Sequence, residues 1–156
     1  MKLTNRDKGL DIIFEEGFLK ELSQLGIKKY PNEFGGFLIG HYENNNKSLV
    51  ITGTILPKKY KGTPNLFNRS SLGIEEQLKD IYEEEPKKYY VGEWHTHPNG
   101  STRYSQTDLN AMIEISNCKT VSIKNPVLLI LGINKAEIID FGFYIYDDKK
   151  LLKYEK

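Results

Sequence analysis

Apolar residues along the chain fall into two rhythms. Leu10 to Phe14 has strand character, and Glu15 to Ile27 places Phe18, Leu19, Leu22 and Leu25 near helical spacing, with Gly26 where a C-terminal stop belongs. Phe34 to Gly40 is apolar and glycine-rich, and Leu49 to Leu56 answers it beyond the Asn44-Asn45-Asn46 turn, which predicts an antiparallel hairpin. Pro57 to Thr63 reads as an exposed loop ahead of the short run Asn65 to Arg69. Ser71 to Glu84 sets Leu72, Ile74, Leu78, Ile81 and Tyr82 among acids, the pattern of an amphipathic helix that Pro86 terminates. Tyr89 to His97 reads as a strand, and a helix capped by Ser105 then carries Leu109, Met112, Ile113 and Ile115 near one face. Val127 to Ile133 is continuously apolar, as a strand buried on both faces would be, with Ala136 to Tyr146 as its antiparallel neighbour. The charged tail from Asp147 to Lys156 is expected to be peripheral. The resulting order, β-α-β-β-β-α-β-α-β-β, predicts an α/β fold: a mixed sheet flanked by helices.

Length and charge narrow the picture without naming a partner. The 156 residues suit a single domain, 1–156, with a real core. Lys and Arg number 22 against 21 Asp and Glu, so no global charge calls for nucleic acid or an anionic membrane. Cys118 is the only cysteine, which excludes an internal disulfide framework and any cysteine-built zinc site. No segment approaches the roughly 20 apolar residues of a membrane span, and a cytoplasmic location is expected.

The chemistry gathers in Val91 to Asp108, VGEWHTHPNGSTRYSQTD. Alternation along a strand puts His95 and His97 on one face, so both imidazoles can reach one ion. Pro98 and the Asn99-Gly100-Ser101 turn lead to Ser105, and a helix starting there brings Asp108 back in its first turn as a third ligand. Two histidines, one carboxylate and a position left for water form the ligand set of a hydrolytic zinc site. Other metal signatures fit less well. His-Glu-x-x-His is absent, one cysteine cannot supply a zinc deaminase, and Asn99 and Gly100 stand where a metallo-β-lactamase-like site would want aspartate and histidine. Iron(II) chemistry would want a barrel-like series of apolar strands that this chain lacks. For the base, Glu93 shares the histidine face, with an ion pair to Arg69 or Arg103 as its alternative employment; the residues alone leave Glu33 and Glu93 both open. His41 reads as a surface strand histidine, Trp94 as a core residue opposite the site, and Cys118 as a small buried or half-buried filler.

Written as His95-x-His97-x(7)-Ser105-x(2)-Asp108, with Glu33 upstream in NEFGGFLIG, the chain resembles the JAMM (MPN-positive, JAB) metallopeptidases over most of its length. That resemblance implies a cytidine-deaminase-like mixed sheet, one Zn2+ held by His95, His97 and Asp108, Glu33 as general acid/base, and Ser105 as a donor to the tetrahedral intermediate. It further implies cleavage after the C-terminal tail of a ubiquitin-like modifier. The form GEWHTHPNGS, with Phe67-x-Arg69 upstream, is similar to the small bacterial JAMM proteins of CBASS anti-phage operons. In those systems an E1/E2-like ligase joins a CD-NTase, a cyclic-oligonucleotide synthase, to targets. The implied substrate is then a protein carrying a CD-NTase tail. The alternatives are processing of a ubiquitin-like sulfur-carrier protein, and a non-catalytic MPN scaffold.

Overall fold

The computed structural model describes residues 1–156. Its elements are β1 (Lys2–Leu3), β2 (Asp11–Ile13), α1 (Gly17–Ile27), β3 (Gly35–Glu43), β4 (Ser48–Ile55), β5 (Lys59–Thr63), β6 (Leu66–Ser70), α2 (Glu75–Tyr82), β7 (Tyr89–Pro98), α3 (Gln106–Asn117), β8 (Val127–Ile133), β9 (Ile138–Asp147) and β10 (Lys150–Lys153). Eight strands form one mixed sheet in the order β1-β2-β4-β3-β7-β8-β9-β10, while β5 and β6 make a separate two-stranded sheet. The β7–β8 pair is parallel and is connected through α3, whereas β3 runs antiparallel to both β4 and β7. All seven residues of β8 are buried, as its unbroken apolar run predicts for a central strand covered on both faces.

Two layers of helix account for that burial. Helix α1 packs on β7 and β8 from one side, where Gly26 lies so close to Thr96 that a Cβ would fall 2.3 Å from the threonine methyl group. Alternation turns His95 and His97 away from that side, toward the face covered by α2 and α3. Met112 and Ile115 of α3 join the main core with β7 and β8. Ile74, at the N-cap of α2, meets Phe37, Ile39 and Ile55 in a second, smaller cluster.

Four expectations from the sequence are corrected. Residues 59–63 are not loop: Lys59–Thr63 pairs with Leu66–Ser70 across a two-residue Pro64-Asn65 turn. The second helix is shorter than predicted, because Gly73 adopts φ +89° and the helix starts only at Glu75. The C-terminal tail is not peripheral. Lys150–Lys153 pairs with β9, Leu151 and Tyr154 are buried, and the Tyr154 hydroxyl donates to the Leu10 carbonyl at 2.8 Å. Cys118 is exposed at the end of α3 and fills nothing. The sheet also curls until its ends meet: Glu155 N–H donates to the Thr4 carbonyl at 3.1 Å, and Asn5 Nδ2 donates to the Lys153 carbonyl at 3.2 Å.

Candidate metal centre

Three pieces of chain converge at the C-terminal end of β7. The strand supplies His95 and His97, the first turn of α3 supplies Asp108, and the segment leading into β3 supplies Glu33. Strand β3 lies tightly against β7 there; a Cβ on Gly35 would sit 2.0 Å from the Trp94 carbonyl oxygen, so only glycine permits this pairing. Phe34 is stitched to β7 by its N–H to Thr96 Oγ1 at 3.0 Å and by its carbonyl, which accepts from Thr96 N–H at 2.8 Å. Glu33 is thereby fixed beside the histidines, and it is 7% exposed.

Ser105 caps α3 in extended conformation. Its Oγ accepts from the Asp108 N–H at 3.1 Å while its own N–H donates to Asp108 Oδ2 at 2.8 Å, a reciprocal capping box. The box aims the aspartate, whose Oδ1 lies 3.3 Å from His95 Nε2 and whose Oδ2 lies 3.6 Å from His97 Nε2. The two Nε2 atoms are 3.1 Å apart. His97 Nδ1 lies 2.7 Å from the Ser101 carbonyl oxygen. A carbonyl only accepts, so Nδ1 carries the proton and the neutral ring presents a bare Nε2 lone pair to the cluster.

These distances test whether a metal fits. Ligands at about 2.0–2.1 Å from a tetrahedral zinc are separated from one another by about 3.3 Å. The three separations among His95, His97 and Asp108 bracket that figure. Ligand atoms of Glu33, His95 and His97 also lie within 4.8 Å of one another, so proximity alone would admit Glu33 as a ligand. Asp108 lies near both Nε2 atoms, whereas Glu33 approaches that of His97, at 3.6 Å.

The electrostatics separates the two carboxylates. Burial raises the pKa of Glu33, a shift opposed by His95 and His97 and reinforced by Asp108. Burial also acts to raise Asp108, but hydrogen bonds from His95 and His97 and from the Ser105 backbone outweigh it and hold the carboxyl well below the usual carboxylate range. The surroundings thus push the two carboxyls in opposite directions, Asp108 toward the anion and Glu33 toward the protonated acid. Burial weakens the basicity of His97, yet Asp108, the Ser101 carbonyl and Glu33 raise its pKa on balance.

The site opens into a cleft of about 270 Å³ lined by Glu33, Phe67, His95, His97, Ser105 and Asp108, among others. All five residues singled out from the sequence therefore meet in one place. Glu93 does not join them: its Oε1 accepts from Tyr90 OH at 2.9 Å and from Arg69 Nη2, one of the two arginines considered as its partner. Sequence reasoning missed the Ser101 carbonyl that orients His97, and the Thr63 carbonyl that accepts the Glu33 N–H at 2.8 Å. Both are backbone groups, which residue identity cannot announce. Trp94 is buried, and its Nε1 donates to Thr54 Oγ1.

A mixed sheet bearing His-x-His on a strand and a capped aspartate on the following helix defines a JAB-type domain with a metal-ligand cluster. The chain belongs to the family of prokaryotic homologs of the JAB domain, whose model matches residues 15–142. It is 30% identical over 122 residues to a CD-NTase/cGAS isopeptidase of Enterobacter hormaechei subsp. hoffmannii, covering 78% of this chain and 67% of that protein. It is 33% identical over 127 residues to a CD-NTase/cGAS isopeptidase of Escherichia coli, covering 78% and 73%. A protein from Desulfitobacterium hafniense, solved in solution, has the same fold with a TM-score of 0.64 at 16% identity over 91% of this chain and 88% of that one. No helix is long and apolar enough to cross a membrane.

Proposed function

We propose that this protein is a zinc-dependent isopeptidase that removes a CD-NTase from proteins to which it has been joined, in CBASS anti-phage defence. The observation that carries the reading is the convergence of His95, His97 and Asp108 at ligand spacing with the buried Glu33 beside them. Two relatives named CD-NTase/cGAS isopeptidase support the substrate class. An E1/E2-like ligase is the reaction class that would supply such a conjugate. The intact ligand set speaks against a scaffold without hydrolytic chemistry.

When bound, zinc supplies Lewis acidity that makes water acidic near neutral pH and polarises the scissile carbonyl. Glu33 accepts a proton from the attacking water and returns it to the nitrogen as the carbon–nitrogen bond breaks, leaving an amine and a carboxylic acid that then ionises to solvent. Its raised pKa suits that exchange, since the carboxyl must hold the proton between the two steps. Ser105 Oγ spends a lone pair on the Asp108 N–H, which leaves its O–H free to donate to the oxyanion.

The test is cleavage of a purified CD-NTase conjugate together with zinc content, before and after chelation. About one zinc per chain and cleavage that chelation abolishes and zinc restores are expected. Zinc binding without cleavage would move the substrate to ubiquitin-like or sulfur-carrier fusions, and no zinc would defeat the enzymatic reading.

A further inference from the structure

The β5–β6 hairpin belongs to no larger sheet, and an isolated two-stranded hairpin is marginal in water. It is nonetheless built into the site, because Phe67 forms part of the cleft wall. Three attachments hold it. At its turn end the Thr63 carbonyl accepts the Glu33 N–H, and Gly62 sits so near that a Cβ would fall 2.3 Å from the Glu33 carbonyl oxygen. Along its length, Tyr60 and Phe67 pack edge-on or tilted against each other and against Phe34, with ring centroids 5.1 to 6.0 Å apart. At its far end Arg69, paired in register with Tyr60, reaches Glu93 on β7, two residues before His95.

The Arg69–Glu93 pair is an expensive way to gain stability. Glu93 is 7% exposed, and the Nε of Arg69 is buried without a hydrogen-bond partner. Two charges removed from water with one donor left unsatisfied return little net stabilisation compared with apolar side chains of similar size. What the pair does supply is direction: it fixes one end of the hairpin to the metal strand, while the other end holds the backbone of Glu33.

We infer that Arg69 is a positioning residue for Glu33, acting through the hairpin that spans from Glu93 to the Glu33 backbone. This rests on the isopeptidase reading for its kinetic test, but not for its structural one. The double variant R69M/E93M removes both charges together, so no buried ion is stranded; the Tyr90 hydroxyl loses its acceptor on Glu93, and a thermal melt establishes that the variant is folded before it is assayed. Hydrogen exchange of the amides of Glu33 and of residues 59–70 is expected to accelerate at least tenfold, with β8 unchanged. On a CD-NTase conjugate, kcat is expected to fall about ten- to a hundredfold, the scale of a misplaced reacting group, with KM and zinc content within about twofold of wild type. R69K, which keeps the charge, should recover part of the loss, and adding R69M/E93M to E33A should lower the residual rate no further. Unchanged exchange at Glu33, or a rise in KM at wild-type kcat, would overturn the inference. Failure of the wild-type protein to cleave would count against the proposed function alone, because the exchange measurement still decides the positioning claim.

Discussion

Ser105 caps α3 and, in the proposed mechanism, also donates to the oxyanion, two tasks that substitution can separate. Its Oγ caps α3 by accepting the Asp108 N–H at 3.1 Å, and the residue lines the cleft with His95, His97 and Asp108. Ser105→Ala removes both functions. An alanine at an N-cap costs about 1 kcal/mol, and the exposure of Ser105 places this cap toward the lower end of the range. For a chain of this size that corresponds to a Tm lowered by about 2–4 °C. Ser105→Gly also removes the hydroxyl but costs only a few tenths of a kcal/mol as a cap. Neither change touches the backbone N–H of residue 105 that holds Asp108 Oδ2, so zinc content should persist in both. Loss of an oxyanion donor costs about 10²–10³ in kcat, equivalent to about 2.7–4 kcal/mol. The two variants should therefore share a large kcat defect while differing in Tm, as read by steady-state cleavage and thermal melts. Wild-type kcat in Ser105→Gly would eliminate the oxyanion role, and a defect that tracks Tm across the pair would reduce Ser105 to a cap.

His97→Ala should lose both zinc and activity, whereas Glu33→Ala should keep zinc and lose turnover; metal analysis beside cleavage distinguishes them, and normal turnover in Glu33→Ala would remove it as the base. Zinc affinity should fall on acidification, because His97 must give up its proton to bind and its environment raises its pKa above the ordinary value of about 6.5. Competition therefore begins at a higher pH than for an unperturbed histidine, and a zinc titration flat between about pH 8 and about pH 5 would argue against His97 as a ligand. Tyr154→Phe deletes a buried hydrogen bond to Leu10 and should cost about 1 kcal/mol in denaturant unfolding, leaving kcat unchanged. A stability equal to wild type would show that this tie between the chain ends contributes nothing.

The convergence of His95, His97 and Asp108 was legible because it is local. A period of two on a strand, a proline stop and a capping serine followed three residues later by aspartate suffice to bring His95, His97 and Asp108 together. Glu33 was not legible in that way: no spacing rule links it to β7, and only the family pattern separated it from Glu93. The structure supplies the physical difference, since Glu93 is occupied by Arg69 and Tyr90. Strand β5 was hidden because Lys-Tyr-Lys-Gly-Thr has no apolar alternation; only Tyr60 packs outside the hairpin, on Phe34, and the pairing itself is a backbone matter. In β10 and just after it, neighbouring lysines masked Leu151 and Tyr154, whose burial depends on strands distant in sequence. Cys118 follows the last helical turn, where the chain leaves the core, and composition could not reveal that exposure.

The curl that joins Thr4 to Glu155 bears on how copies of this protein behave in company. Open sheets recruit stray strands along unpaired rims, the usual beginning of edge-to-edge association. Here one rim is a strand of only two residues, and the other is covered by the Asn5 amide and the Glu155–Thr4 bond. Where β1 and β10 meet, the sheet therefore offers no open rim, and concentrated solutions should resist edge-to-edge association along that seam for as long as it holds.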